Sequence, residues 1–165
     1  MNDQTIPVVV AENMSLEDDI AFFEQVPTFA ALGKQALRIL AIGAETKNIA
    51  SGAVLFYAGE LADGGYVVQE GSLQLEPNSP QEGKQIIVGR GTLVGELALL
   101  TDMVCPATAI AKGPTVVVRI SRSLFRKMLE GYPAAAKQLR DMMAERIDVW
   151  TRDLGDVKVQ IDKID

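Results

Sequence analysis

The sequence predicts an α+β fold, mainly β: a double-stranded β-roll of jelly-roll type with N-terminal helices before it and a long C-terminal helix after it. Three observations predict it. Apolar residues recur at helical spacing over residues 15–42, fall into short runs punctuated by glycine, proline and asparagine over 49–120, and return to helical spacing after Ile120. With 165 residues, 48% of them hydrophobic and 23% charged, the chain has apolar surface for one core, and residues 1–165 are expected to form one domain.

Leu16, Ile20 and Phe23, then Phe29, Leu32, Ala36, Leu37 and Leu40, carry the first helical pattern. Val26-Pro27 interrupts it, so two short helices are expected. Strands are read at Val54 to Tyr57, Tyr66 to Val68, Leu73 to Leu75, Gln85 to Val88 and Thr115 to Ile120. Turns such as Ser51-Gly52, Ala58-Gly59, Asp63-Gly64-Gly65, Glu70-Gly71 and Pro77-Asn78-Ser79-Pro80 bound them. Residues 95–109 read as a strand end, a one-turn helix and a return strand. Ser121 then caps a helix holding Leu124, Phe125, Met128 and Leu129, Gly131 ends it, and Pro133 opens the next, within a helical region 121–165.

Composition removes whole classes of chemistry. Histidine is absent and Cys105 is the only cysteine, which excludes imidazole bases, His-ligated metals and intrachain disulfides. No metal site, cofactor or enzymatic activity is expected. The formal charge of −6, with no local run of Lys or Arg, disfavours direct nucleic-acid contact. The N-terminus has no basic region followed by an apolar stretch, and no apolar run approaches the length of a membrane span, so a cytoplasmic protein without membrane contact is expected.

Gly52-Ala53-Val54-Leu55-Phe56, Gly59-Glu60, Tyr66-Val67-Val68-Gln69-Glu70-Gly71 and Gly95-Glu96-Leu97-Ala98-Leu99-Leu100, in this order between helices, resemble the cyclic-nucleotide-binding domain family. Its members include the catabolite activator protein and the regulatory subunits of protein kinase A. The resemblance covers residues 22–146 and implies a ligand cassette at 95–109. In the family, a helix N-terminus offers backbone N–H groups to the cyclic phosphate, a glutamate accepts from the ribose hydroxyl, and an arginine pairs with the phosphate. Carried over, Gly95 allows close backbone approach, Glu96 is the ribose acceptor, and Leu97 and Ala98 present N–H groups. The ligand-binding set by resemblance is Gly95, Glu96, Leu97, Ala98, Cys105, Pro106, Ala107 and Thr108.

The arginine position, ten residues after Gly95, is Cys105. Residues 91–111 hold the carboxylates of Glu96 and Asp102 and no Lys or Arg, so a substitute cation has to come from Arg90 or Lys112 on the flanks. Each feature also has a purely structural reading. Gly95-Glu96 is then a turn glycine with a first-turn acid, Leu97, Leu99 and Leu100 fill the core, Cys105 is inert, and Pro106 starts a strand or stiffens a turn. Tyr66 and Trp150 are read either as base-stacking residues or as core and helix-seam residues.

Met143, Ile147, Trp150, Leu154, Val157, Ile161 and Ile164 are spaced 4, 3, 4, 3, 4, 3, a heptad seam over 143–164 that looks for a partner helix, the other reading being a stripe that packs on its own β-roll. The expected assembly is a homodimer through this helix, with a further protein partner and without a DNA-recognition helix. The functional expectation is a non-enzymatic dimeric regulatory or sensor domain whose cyclic AMP and cyclic GMP binding is weak or lost because of Cys105. Two alternatives stand beside it: a working sensor that takes its cation from elsewhere, and a redox switch through Cys105.

Overall fold

The computed structural model describes residues 15–145. Three helices open it: α1 (Leu16–Glu24), α2 (Pro27–Ala30) and α3 (Lys34–Gly43). The Ser15 side chain caps α1 by accepting from the Asp18 N–H at 3.1 Å. Two helices were expected here. Pro27 makes the expected break and opens α2 at its first position, and Gly33, at φ +90°, makes a second break before α3, so α2 is a single turn between the others.

Ten strands follow: β1 (Glu45–Ile49), β2 (Val54–Phe56), β3 (Leu61–Ala62), β4 (Gly64–Glu70), β5 (Leu73–Pro77), β6 (Ile86–Val88), β7 (Leu93–Val94), β8 (Met103–Val104), β9 (Ala107–Ala111) and β10 (Thr115–Ser121). One-turn 3₁₀ helices occupy Pro80–Glu82 and Glu96–Leu99. Helix α4 (Arg122–Gly131) is capped by Ser121, which accepts from the Leu124 N–H at 3.1 Å. Residues 133–145 form α5. The seam residues Ile147, Trp150, Leu154, Val157, Ile161 and Ile164 lie outside the described residues. Among the described residues, no helix is long and apolar enough to cross a membrane.

The strands build two four-stranded antiparallel sheets, β1-β10-β4-β7 and β2-β9-β5-β6, and a two-stranded ribbon, β3-β8. The expected β-roll is therefore present. β4 and β10 are covered on both faces, which makes them nearly continuous apolar runs. On one face Val67, Val118 and Ile120 meet the helices, where Phe23, Phe29, Leu37, Leu40, Phe125 and Met128 are buried. Phe29 stands edge-on to Phe23 with centroids 5.6 Å apart, and Phe125 packs on its other side at 6.3 Å. On the other face Val68, Val117, Leu73 and Ala109 form a second core between the sheets, joined by Phe56, Tyr66, Leu75 and Val94.

Candidate ligand-binding site

The site grows from the end of β7. Gly95 holds φ +86° and ψ 33°, the left-handed region, which swings the chain from the strand into the turn at Glu96–Leu99. A Cβ at this position would stand 3.1 Å from the Gly64 carbonyl oxygen. The turn satisfies part of its own backbone: Ala98 N–H donates to the Gly95 carbonyl at 3.0 Å, and the Leu100 and Thr101 N–H groups both donate to the Leu97 carbonyl at 3.0 Å. One of the two N–H donors expected for an anion is thus engaged inside the turn.

The chain then returns through β8, which pairs Met103 with Ala62 and Val104 with Leu61. Cys105 is fixed by two backbone bonds of 2.8 Å, its N–H donating to the Glu60 carbonyl and its carbonyl accepting from the Gly59 N–H. Pro106 is the bend before β9, in keeping with the strand-start reading. Ala109 faces the core between the sheets, so strand alternation places Ala107 on the same side and Thr108 on the opposite one. Thr108 Oγ1 accepts from the Ala58 N–H at 2.9 Å, which ties β9 to the turn after β2.

These elements enclose a cavity of about 240 Å³. Phe56, Tyr66, Leu75, Val94, Met103 and Cys105 form its walls, and the Gly95–Ala98 turn, Pro106 and Ala107 close it. Seven of the eight residues expected from sequence, Gly95, Glu96, Leu97, Ala98, Cys105, Pro106 and Ala107, meet there; Thr108 does not. Phe56 and Tyr66 stand 5.7 Å apart at 31° and make one wall aromatic. Tyr66 is accordingly both a core residue and a lining residue.

Cys105 is 7% exposed. Burial pushes its thiol above the ordinary thiol range, and the Glu60 and Asp63 carboxylates push it the same way. Burial likewise raises the Tyr66 phenol, with Arg119 pulling against it. The environment keeps the sulfur neutral.

Neither flanking cation reaches the cavity. Arg90 donates to the Gln69 carbonyl at 2.9 Å and lies over the Phe22 ring at 4.7 Å, on the helical side of the sheet. Lys112 follows the far end of β9, where its N–H donates to the Ser72 carbonyl, and it is exposed. Two arginines near the cassette were not anticipated. Arg119 shares the inner face of β10 with Val117 and sits opposite Tyr66 in the strand register. Both Asp63 carboxylate oxygens accept from it at 2.8 Å. Arg122, at the start of α4, donates from Nε to the Ala98 carbonyl at 2.8 Å and from its terminal nitrogens to the Ala62 carbonyl and to Asp102.

Arg122 thereby pins the cassette turn to the β3-β8 ribbon and to α4. It also corrects the expectation that two carboxylates crowd the pocket, because Asp102 is drawn out to Arg122 while Glu96 alone lines the cavity. Glu96 accepts from the Thr28 hydroxyl of α2, a contact across 68 positions of sequence. Among the described residues, no Lys or Arg side chain lines the cavity, and no group of three acidic or cysteine side chains is placed to hold a metal.

The family model of the cyclic nucleotide-binding domain matches residues 46–132, which spans the roll, the cassette and α4. The chain belongs to the cyclic nucleotide-binding domain family. A cyclic nucleotide-binding-like protein from Brucella abortus is 35% identical, with a TM-score of 0.60 over 68% of this chain and 98% of that one. The N-terminal domain of a transcriptional regulator from Streptomyces coelicolor is 28% identical, with a TM-score of 0.70 over 78% of this chain and 91% of that one. The lysophospholipase nte1 of Neosartorya fischeri is 30% identical over 105 residues, 62% of this chain and 7% of that much longer protein. Family membership accounts for the glycine framework and for the position of the cavity.

Proposed function

We propose that this domain is a non-enzymatic regulatory module in which cyclic AMP and cyclic GMP binding is weak or lost, and that it works as a dimer through its C-terminal helix, signalling to a further protein. The observation that carries the reading is Cys105, a neutral thiol lining the cavity where the family's arrangement calls for a guanidinium. Removing one partner from a desolvated charge pair costs about 2–5 kcal/mol, roughly 30-fold to several thousand-fold in affinity. A micromolar site becomes one of roughly 30 μM to several millimolar.

The cations nearby do not repair the loss. Arg119 is neutralised by Asp63, Arg122 is committed to two backbone carbonyls and Asp102, and Arg90 and Lys112 stand elsewhere. The turn Glu96–Leu99 is also a single 3₁₀ turn, so its dipole is small compared with that of a long helix. The redox alternative gains nothing from the surroundings, since burial and two carboxylates oppose thiolate formation.

Calorimetric titration of the native protein with each cyclic nucleotide tests the reading. A dissociation constant of roughly 30 μM or weaker is expected from the affinity loss above; sub-micromolar binding of either nucleotide contradicts it.

A further inference from the structure

We propose that the cavity beside the cassette is a binding site for an uncharged aromatic molecule of one or two fused rings. The proposal rests on the reading that the cyclic phosphate is no longer the ligand. Loss of an arginine does not by itself close a pocket, and here the cavity remains open, at about 240 Å³. An apolar cavity of about 150 Å³ already holds a benzene ring and stays dry. The space between the sheets therefore takes one or two fused rings.

Shape and chemistry both select for a flat, neutral molecule. Phe56 and Tyr66 lie tilted by 31° along one wall, a face on which a ring stacks. Leu75, Val94, Met103 and Ala107 surround the rest, and the methionine thioether packs well against ring edges. An anion entering this space meets a neutral thiol and, among the described residues, no cation on the lining. Leu97, on the cassette turn, lines the cavity and is 54% exposed, so the apolar lining continues to the open edge. A ligand that fills the cavity and reaches its rim would cover this side chain.

The test compares 2-naphthol with 2-naphthyl phosphate, the same ring system with and without a charged phosphate, by calorimetry on the full chain. The neutral probe is expected to saturate a single site and the phosphate ester to bind at least tenfold more weakly. Ala107→Leu, which fills the cavity from β9, should weaken 2-naphthol at least tenfold while the thermal transition stays cooperative. Cys105→Arg, which adds a cation to the same space, should reverse the order of the two probes and covers the case in which Ala107→Leu does not fold. Absence of 2-naphthol binding up to its solubility overturns the proposal and leaves the regulatory reading standing. Binding that neither substitution changes places the probe elsewhere on the molecule and also overturns it. Sub-micromolar cyclic AMP binding by the native protein removes the reading on which the proposal rests.

Discussion

A thiol and a guanidinium differ in charge, in reach and in what a low-dielectric wall does to them, and the proposed loss of cyclic-nucleotide binding turns on those differences at position 105. Arginine keeps its charge when half-buried; the Cys105 thiol is held neutral by burial and by Glu60 and Asp63. The direction of that shift carries a stability consequence. A group whose folded-state pKa is raised binds its proton more tightly when folded, so its contribution is complete below the ordinary thiol value of about 8.5 and is lost as pH climbs through the raised one. Tyr66, also raised, extends the decline further into alkali. Urea midpoints at pH 7 and pH 10 should show the loss, and Cys105→Ala should remove its first part; identical midpoints at the two pH values in the native protein would refute the burial argument. The same environment predicts that Cys105 reacts with iodoacetamide at pH 7 at least tenfold more slowly than free cysteine.

The inward position of Cys105 was legible from the family spacing, because ten residues separate it from Gly95 and β9 continues the alternation through Ala107 and Ala109. The Glu96 contact with Thr28 and the Arg122 contacts with Ala98 and Ala62 were not. They join residues 68, 24 and 60 positions apart, and no local pattern marks their ends. Arg119 follows the alternation of β10, sharing the inner face with Val117, but a lone arginine in an apolar run gives no sign of its Asp63 partner 56 positions away.

Among the elements, the cassette turn depends on two devices. One is the backbone of Gly95: a Cβ in the left-handed region costs about 1–2 kcal/mol, and the Gly64 carbonyl adds crowding. Gly95→Ala is expected to lower the urea midpoint accordingly, with the effect visible by amide exchange in residues 96–104 first. The other is Arg122. Hydrogen bonds from a charged donor contribute about 1.5–3 kcal/mol each, and Arg122→Ala leaves two backbone carbonyls without it, so a loss of at least 2 kcal/mol and faster exchange across the cassette are expected. A loss under 0.5 kcal/mol would show that the turn holds its shape without α4. The strands read from sequence were the ones with an apolar run, among them β6, whose Ile86 and Ile87 are exposed. β1 was missed because Glu-Thr-Lys-Asn-Ile runs along a sheet edge and is largely exposed, so it carries no apolar alternation. The helices behaved differently: Ser121 and Pro133 are capping signals whose physics is local, and both fall where the helices begin.

At the scale of the whole molecule, the helical layer packs on the outer face of the β1-β10-β4-β7 sheet, while the cavity lies between the sheets. The cassette turn bridges the two, with Leu99 in the helical core and Leu97 at the cavity. A largely apolar groove, with Leu100, Leu129, Leu139 and Met143 on its lining beside Arg140, runs from the end of that turn along α5, and Met143 is the first residue of the heptad seam. This arrangement supports the proposed dimer: sedimentation equilibrium is expected to give twice the chain mass of 17.8 kDa, and Ile147→Glu should return the protein to one chain mass without unfolding the roll. A native protein of one chain mass at 100 μM would contradict the seam.

On the proposed reading, one side chain separates this cavity from a cyclic phosphate. Calorimetric titration of cyclic AMP into the native protein and into Cys105→Arg, side by side, measures its effect. Binding at least 30-fold tighter is expected for the variant, in line with a restored charge pair of about 2 kcal/mol or more; equal affinities, or tight binding by the native protein, would refute the reading.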